Sequence, residues 1–211
     1  MSKSKKKPTV ETIVDAREHV LYTGVTMTGK TTLAREHADI LHKAKYEIAV
    51  YDPVGTDTAN GNWPEGATIL STPAEFHEWI DDNETTFNEE HPCFLFVDEA
   101  ADIFGHSETH AHWIGRKIRH SQIYLRMMVQ RPNMMHPSVR TQCSYVYMLR
   151  LSMNDARLIC ADMGHGPDVA NTSLDKGDCI LLTSGSKGIE KFNVFQLIGI
   201  EPDESKSASR S

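Results

Sequence analysis

Short runs rich in β-branched, aromatic and other apolar residues alternate along this chain with stretches whose apolar positions recur at helical spacing. His19 to Thr23, Ile48 to Tyr51, Phe94 to Val97, Ile123 to Val129, Tyr145 to Leu149, Ile180 to Thr183 and Phe192 to Gln196 predict strands. From Lys30 to Lys45, Leu33, Ala34, His37, Ile40, Leu41 and Ala44 fall on one stripe, which predicts a helix with one buried face. Strand, helix and strand repeated in this way imply an α/β fold with a mainly parallel central sheet flanked by helices. The glycine- and proline-rich stretch from Pro53 to Thr68 predicts a long loop, and no internal repeat is present.

With 211 residues the chain fits one domain, since single cores grow to about 250 residues before splitting. Residues 1–9 and 202–211, rich in Lys, Ser and Pro with little to bury, predict disordered tails around a domain spanning 10–201. No apolar run of about 18 residues exists, and the basic start MSKSKKKP leads into no apolar stretch. Neither a membrane span nor a signal peptide is predicted, so a cytoplasmic protein is expected. Cys93, Cys143, Cys160 and Cys179 are far apart and form no Cys-x-x-Cys pair; they are expected to be reduced core thiols that hold no metal.

A formal net charge of -7 argues, taken alone, against a nucleic-acid partner, but its distribution is uneven. Residues 75–108 carry eleven carboxylates and no Lys or Arg, whereas residues 116–150 carry seven basic residues (Arg116, Lys117, Arg119, Arg126, Arg131, Arg140 and Arg150) and no carboxylate. Such segregation suits one positive face or channel on an acidic exterior. The alternative is that several of these arginines pair with the acidic segment.

Chemistry enters with GVTMTGKT, Gly24 to Thr31, which satisfies the phosphate-loop pattern between a predicted strand and a predicted helix. Gly24 and Gly29 permit the turn that aims backbone N–H groups of Val25, Thr26, Met27 and Thr28 at phosphates, with the N-terminus of the following helix, through Thr32, adding a positive dipole end. Lys30 is expected to reach the β and γ phosphates of ATP and Thr31 to ligate magnesium. The second signal is CFLFVDEA, Cys93 to Ala100, an apolar strand ending in two carboxylates. Asp98 is placed to hold magnesium through water, and Glu99 to polarise an attacking water; the plainer alternative is an acidic first helical turn. A carboxylate directly after the magnesium Asp favours an ATPase over a small-molecule kinase, which must exclude water. Gln130, at the polar end of the next strand, is a candidate γ-phosphate sensor or else a plain turn residue.

These motifs, with YDP (Tyr51 to Pro53), VQRP ending at Pro132, TQC (Thr141 to Cys143), LSMNDARLI (Leu151 to Ile159) and KGDCIL (Lys176 to Leu181), resemble in order the core of the FtsK-HerA superfamily of DNA-pumping ATPases, over about residues 18–185. The short chain looks most like the genome-packaging ATPases of tailless icosahedral, internal-membrane, double-stranded DNA viruses. The resemblance implies a P-loop NTPase of RecA/ASCE-like type that binds ATP and magnesium and assembles as a ring, a hexamer, around double-stranded DNA. It further implies viral portal or capsid vertex proteins as partners, and a place in the host cytoplasm or with the virion. Lys30 and Thr31 become the nucleotide-binding pair, Asp98 the magnesium residue, Glu99 the catalytic base and Gln130 the sensor. An arginine from the neighbouring subunit is expected to complete the site; Arg119 is the first candidate and Arg157 the second, with Arg116, Arg140 and Arg150 still open.

Two departures from the family pattern stand out. The turn after Arg119 reads HSQ (His120 to Gln122) where a glycine-rich turn is usual, and Arg126 interrupts an apolar strand. A charge there is costly unless paired, so Arg126 is expected either at a subunit interface or channel or beside an acid within the fold. His106, His110 and His112 lack supporting ligands and are read as a loop rather than a metal site. Met127, Met128, Met134 and Met135 read as packing residues. The Lys3, Lys5, Lys6 and Lys7 tail reads as solubilising, with binding to DNA phosphates or anionic lipid as the alternative. Two other readings stand beside a packaging motor: a cellular HerA-like or conjugative DNA-transfer ATPase, and a P-loop assembly ATPase acting on protein.

Overall fold

Eight strands form one sheet in the order β3-β2-β4-β5-β1-β6-β7-β8 in the computed structural model, which describes residues 14–106, 118, 120–186 and 188–199. They are β1 (His19–Thr23), β2 (Glu47–Tyr51), β3 (Thr68–Leu70), β4 (Cys93–Val97), β5 (Ile123–Val129), β6 (Cys143–Met148), β7 (Asp178–Thr183) and β8 (Ile189–Asn193). The first six pair in parallel, while β7 and β8 are antiparallel additions at one edge. The mainly parallel sheet read from the hydrophobic pattern is therefore present. Both expected tails, residues 1–9 and 202–211, lie outside the described residues.

Successive side chains of a strand point to opposite faces, and here each face buries its own layer. On one side Val20, Tyr22, Phe94, Phe96 and Met128 pack under Leu33, Ala34, Ala38 and Leu41 of helix α1 (Lys30–Lys43). On the other, Leu21, Leu95, Val97, Leu125 and Met127 meet Phe76 and Ile80 of α3 (Pro73–Asp82), Ile103 and Phe104 of α4 (Ala101–Phe104), and Ile159 of α6 (Met153–Asp162). Fully burying such side chains contributes roughly 1.5–3 kcal/mol each, so this two-sided burial dominates the stability of the sheet.

Three local features depart from the expected elements. The loop from Pro53 to Thr68 contains one turn of helix, α2 (Thr56–Ala59), and ends in β3. Buried Asp52 organises it, accepting from the Gly55 and Thr58 amides at 2.9 and 3.0 Å and from the Thr58 hydroxyl at 2.7 Å. Helix α3 has a capping signature in its own sequence: Thr72 Oγ1 accepts from the Glu75 amide, Glu75 Oε2 accepts from the Ser71 amide, and Pro73 occupies the first turn. The strand expected from Phe192 to Gln196 stops at Asn193, because the Asn193 side chain accepts from the Phe195 and Gln196 amides and starts helix α8 (Val194–Leu197).

Arg126 corrects an expectation. Its side chain is at neither a surface nor a channel; it is fully buried, with no carboxylate in an ion pair to it among the described residues. Instead Nη1 donates to the Glu18 and Leu125 carbonyls at 2.6 and 3.3 Å, and Nη2 to those of Val14 and Ala16 at 3.1 and 2.7 Å. The guanidinium also lies 4.7 Å from the Phe94 ring centre. Backbone carbonyls of the entering segment thus do the work expected of an acid, a partner set that no residue pattern advertises. The HSQ turn is resolved as simply: Gln122 adopts φ +55, the left-handed backbone a glycine would supply, and its Oε1 accepts from the Tyr124 hydroxyl at 2.6 Å.

All four cysteines are free and buried, as expected of core thiols; desolvation raises every one, Cys143 to about 12.

Candidate active site

Strands β1, β4 and β5 run parallel, so their carboxyl ends open onto the same edge of the sheet, where α/β folds bind ligands. The phosphate loop leaves β1, Asp98 and Glu99 leave β4, and Gln130 leaves β5, which lies between the other two. The motif residues are thereby brought together across 106 positions of sequence, from Gly24 to Gln130.

The loop's shape follows from its small residues. A Cβ on Gly24 would lie 2.8 Å from the Leu149 Cβ and 2.9 Å from the Thr28 hydroxyl, so only glycine fits. Gly29 takes φ +107 and Met27 φ +63, two reversals that wrap residues 24–29 around the start of α1. Thr28 Oγ1 donates to the Val25 carbonyl at 2.7 Å and the Val25 amide donates to the Arg150 carbonyl at 2.8 Å, tying the loop to itself and to the end of β6. Val25, Thr26 and Met27 form its exposed crest, while Thr31 and Thr32 are half-buried at the first turn of α1. No side chain caps α1, so its first amides remain for a ligand, the arrangement that favours phosphate.

Lys30 sits inside this cradle. Its Nζ donates to the carbonyls of Gly24 at 2.7 Å and Val25 at 3.2 Å. Burial lowers its pKa, with Glu99 and then Asp98 opposing, which places both carboxylates within electrostatic reach of the ammonium. Asp98 is pushed up to about 6, first by burial and then by the like charge of Glu99, more weakly by Asp52 and Asp57. Asp98 is thus a hard oxygen donor in a crowded group of acids that a divalent cation would relieve, and Thr31, in the first turn of α1, offers a second oxygen; these donor types fit magnesium.

Glu99 has φ +50, uncommon for a residue with a side chain and the kind of backbone strain that concentrates at functional sites. The Ala100 amide donates to the Met128 carbonyl and the Asp98 amide to the Tyr51 carbonyl, pinning the strained residue from both sides. Gln130 Nε2 donates to Glu99 Oε1 at 2.6 Å, and Thr26 Oγ1 donates to Gln130 Oε1 at 2.8 Å. Loop, sensor candidate and base candidate are therefore one hydrogen-bonded chain.

Not every expected residue joins this group. Arg119, Arg116, His110 and His112 lie outside the described residues. Arg157 is exposed on α6 and makes no ion pair among the described residues. Arg140 is buried, ion-paired to Asp162 and donating to the Pro132 and Met135 carbonyls, so it has a structural post and is removed from the arginines that could serve a neighbour. His106 Nε2 instead engages the Asn133 carbonyl, and no metal-ligating cluster occurs among the described residues. Two contributors carry roles that the sequence did not assign: Asp52 of the YDP motif, whose Asp-x-x-Gly-x-x-Thr spacing is a readable turn signal, and Phe195, whose ring lies 3.6 Å from where a Gly29 Cβ would be.

Solved structures carry the comparison further. The chain is similar to the genome packaging NTPase B204 of Sulfolobus turreted icosahedral virus 2 in complex with AMPPCP, with a TM-score of 0.69 and 16% identity over 83% of this chain and 97% of that one. The fold is that of a P-loop NTPase. The DNA-packaging ATPase B204 of Sulfolobus turreted icosahedral virus gives a TM-score of 0.71 at 16% identity, covering 85% of this chain and 98% of that one. The pCW3 conjugation coupling protein TcpA, in a monomer form with ATPgS, gives 0.63 at 16% identity over 85% of this chain and 60% of that one. No family profile and no curated protein matches the chain. At such identities the likeness is one of fold, and the roles of residues in this P-loop NTPase fold rest on its own geometry. No helix among the described residues is long and apolar enough to cross a membrane.

Proposed function

We propose that this chain is a magnesium-dependent ATPase of FtsK-HerA type that drives double-stranded DNA through a homo-oligomeric ring, a hexamer, most specifically as the packaging motor of a virus. The observation that carries the reading is the bonded chain from the phosphate loop through Gln130 to Glu99, beside Lys30 and Asp98. Loop amides and Lys30 bind and orient the triphosphate; Glu99 accepts the proton of the attacking water; Gln130, touching both loop and base, senses the γ phosphate. Magnesium, held by Thr31 and Asp98, would supply charge neutralisation on the β and γ oxygens. Phosphoryl transfer also needs a cation over the γ group, which we assign to an arginine of a neighbouring subunit, Arg119 before Arg157. Portal or capsid vertex proteins are the partners this reading anticipates, in the host cytoplasm or with the virion.

Likeness in fold to TcpA favours a conjugative DNA-transfer ATPase as the second reading. Steady-state ATP hydrolysis with and without linear double-stranded DNA, across a range of protein concentrations, tests both. Stimulation that sets in only above a threshold concentration is expected of a DNA motor, with Lys30→Ala inactive throughout. Hydrolysis indifferent to DNA at every concentration would count against a DNA substrate and for a protein-directed ATPase.

A further inference from the structure

We infer that Thr26, on the exposed crest of the phosphate loop, is a positioning residue that sets the amide orientation of Gln130 and through it the side chain of Glu99; the kinetic part of this inference rests on the ATPase reading above. A carboxylate can only accept, so the end of the Gln130 amide 2.6 Å from Glu99 Oε1 must be the NH2 group. The carbonyl end then faces Thr26, 2.8 Å away, and the Thr26 hydroxyl must donate to it. The terminal torsion of a glutamine is broad and two-fold, and by itself it does not choose between the two orientations. Thr26 opposes the wrong one less than Glu99 does, but it supplies the second point that stops the amide from rotating out of line.

Nothing else in the loop could do this. Thr28, the loop's other hydroxyl, is buried and donates to the Val25 carbonyl, and neither Val25 nor Met27 has a side-chain donor. The Thr26 bond spans 104 residues and joins the segment that would wrap the phosphates to the strand that meets the base. A shift of the loop on phosphate binding is thereby transmitted to Glu99 by two hydrogen bonds rather than by the sheet.

Three variants and one spectrum test this. Thr26→Val keeps shape and loses the donor, and is expected to lower kcat about tenfold with KM for ATP within about twofold; Thr26→Ser keeps the donor and is expected to stay near wild type. In a Gln130→Ala background, Thr26→Val is expected to cost at most about twofold more, because the two residues act in series. A Thr26→Val effect confined to KM, a serine variant as slow as the valine one, or full additivity with Gln130→Ala would overturn the inference. The Gln130 side-chain amide resonances read the orientation without any turnover. They are expected to be displaced from the solution position in wild type and Thr26→Ser, and to return towards it in Thr26→Val. Unchanged resonances in Thr26→Val overturn the inference whether or not the protein hydrolyses ATP, whereas a wild type that hydrolyses none defeats the ATPase reading and leaves the spectrum to decide the positioning.

Discussion

Glu99 joins two demands that ordinarily conflict, a chemically needed carboxylate and a backbone that side chains resist. Left-handed φ costs a residue with a Cβ roughly 1–2 kcal/mol, and glycine escapes it. Glu99→Gly should therefore be more stable than Glu99→Ala by about 1 kcal/mol in urea unfolding, although both lose the carboxylate. Equal stabilities would mean that the φ of +50 carries no strain. Glu99→Gln should keep nucleotide affinity yet turn over at least about a hundredfold more slowly, the usual scale of a general base; normal hydrolysis by this variant would move the base elsewhere. Arg126 poses the opposite problem, a charge retained where no chemistry uses it. Two of its four bonds to carbonyls, those to Leu125 and Val14, are fully buried, and a buried acceptor left unsatisfied if the guanidinium goes costs about 1–3 kcal/mol. Arg126→Met should lower unfolding stability by about 3 kcal/mol or more and loosen residues 14–18, detectable as faster amide exchange there; a neutral substitution would show that water serves those carbonyls equally well.

At the scale of elements, helix α1 lies over a polar group sealed inside its own apolar face. The buried imidazole of His37 lies 2.8 Å from the Tyr22 hydroxyl through Nδ1, and its ring meets Tyr147 edge-on. Burial first and Arg126 second hold His37 down at about 3, well below its ordinary 6.5. The unfolded chain takes the proton that the folded one refuses, so this stabilisation is complete above pH 6.5 and is lost as pH falls towards 3, by up to about 1.4 kcal/mol per unit. Asp98 works the other way, since a carboxyl raised to about 6 makes the folded chain the better proton acceptor below that pH. Opposed slopes hide each other in the wild type, and the comparison with His37→Gln separates them. The variant should lose the acid penalty, so the stability difference between the two proteins changes by about 1 kcal/mol from pH 6.5 to 5.5; parallel curves would show that His37 titrates normally. α1 was legible because its apolar stripe is unbroken, and β1 and β5 because they are short apolar runs, β5 despite the charge of Arg126 at its centre. Helix α3 has its start signal in Thr72, Pro73 and Glu75, but its ten residues bury only Phe76 and Ile80, a stripe too short to stand out as helical periodicity. The end of β8 rests on Asn193, a helix-capping residue set inside an apolar run, whereas the role of Arg126 was not legible at all, because its partners are backbone carbonyls that carry no residue signature. In the site, Gly24 to Thr32, Asp98, Glu99 and Gln130 could be read as motifs, while the bond from Thr26 to Gln130 required the ends of β1 and β5 to be set side by side.

For the whole molecule the question is how a chain of net charge -7 could grip DNA. The basic stretch from 116 to 150 supplies less than its seven charges promise, since Arg126 and Arg140 are spent inside the fold. Arg131 and Arg150 remain exposed at the ends of β5 and β6, on the edge that carries the phosphate loop, and Arg116, Lys117 and Arg119 lie outside the described residues. So few phosphate contacts per subunit give weak binding that salt dissolves easily, whereas a ring multiplies the same contacts through effective concentration. DNA retention by the wild type should therefore appear only where the protein assembles, and the logarithm of its affinity should fall against the logarithm of salt with a slope several times larger than a single subunit's contacts allow. Arg131→Ala and Arg150→Ala together should reduce that slope across unrelated DNA sequences alike, because phosphate contacts carry no sequence information. Retention at low protein concentration with a shallow slope would instead place the DNA on one subunit and remove the need for a ring in binding.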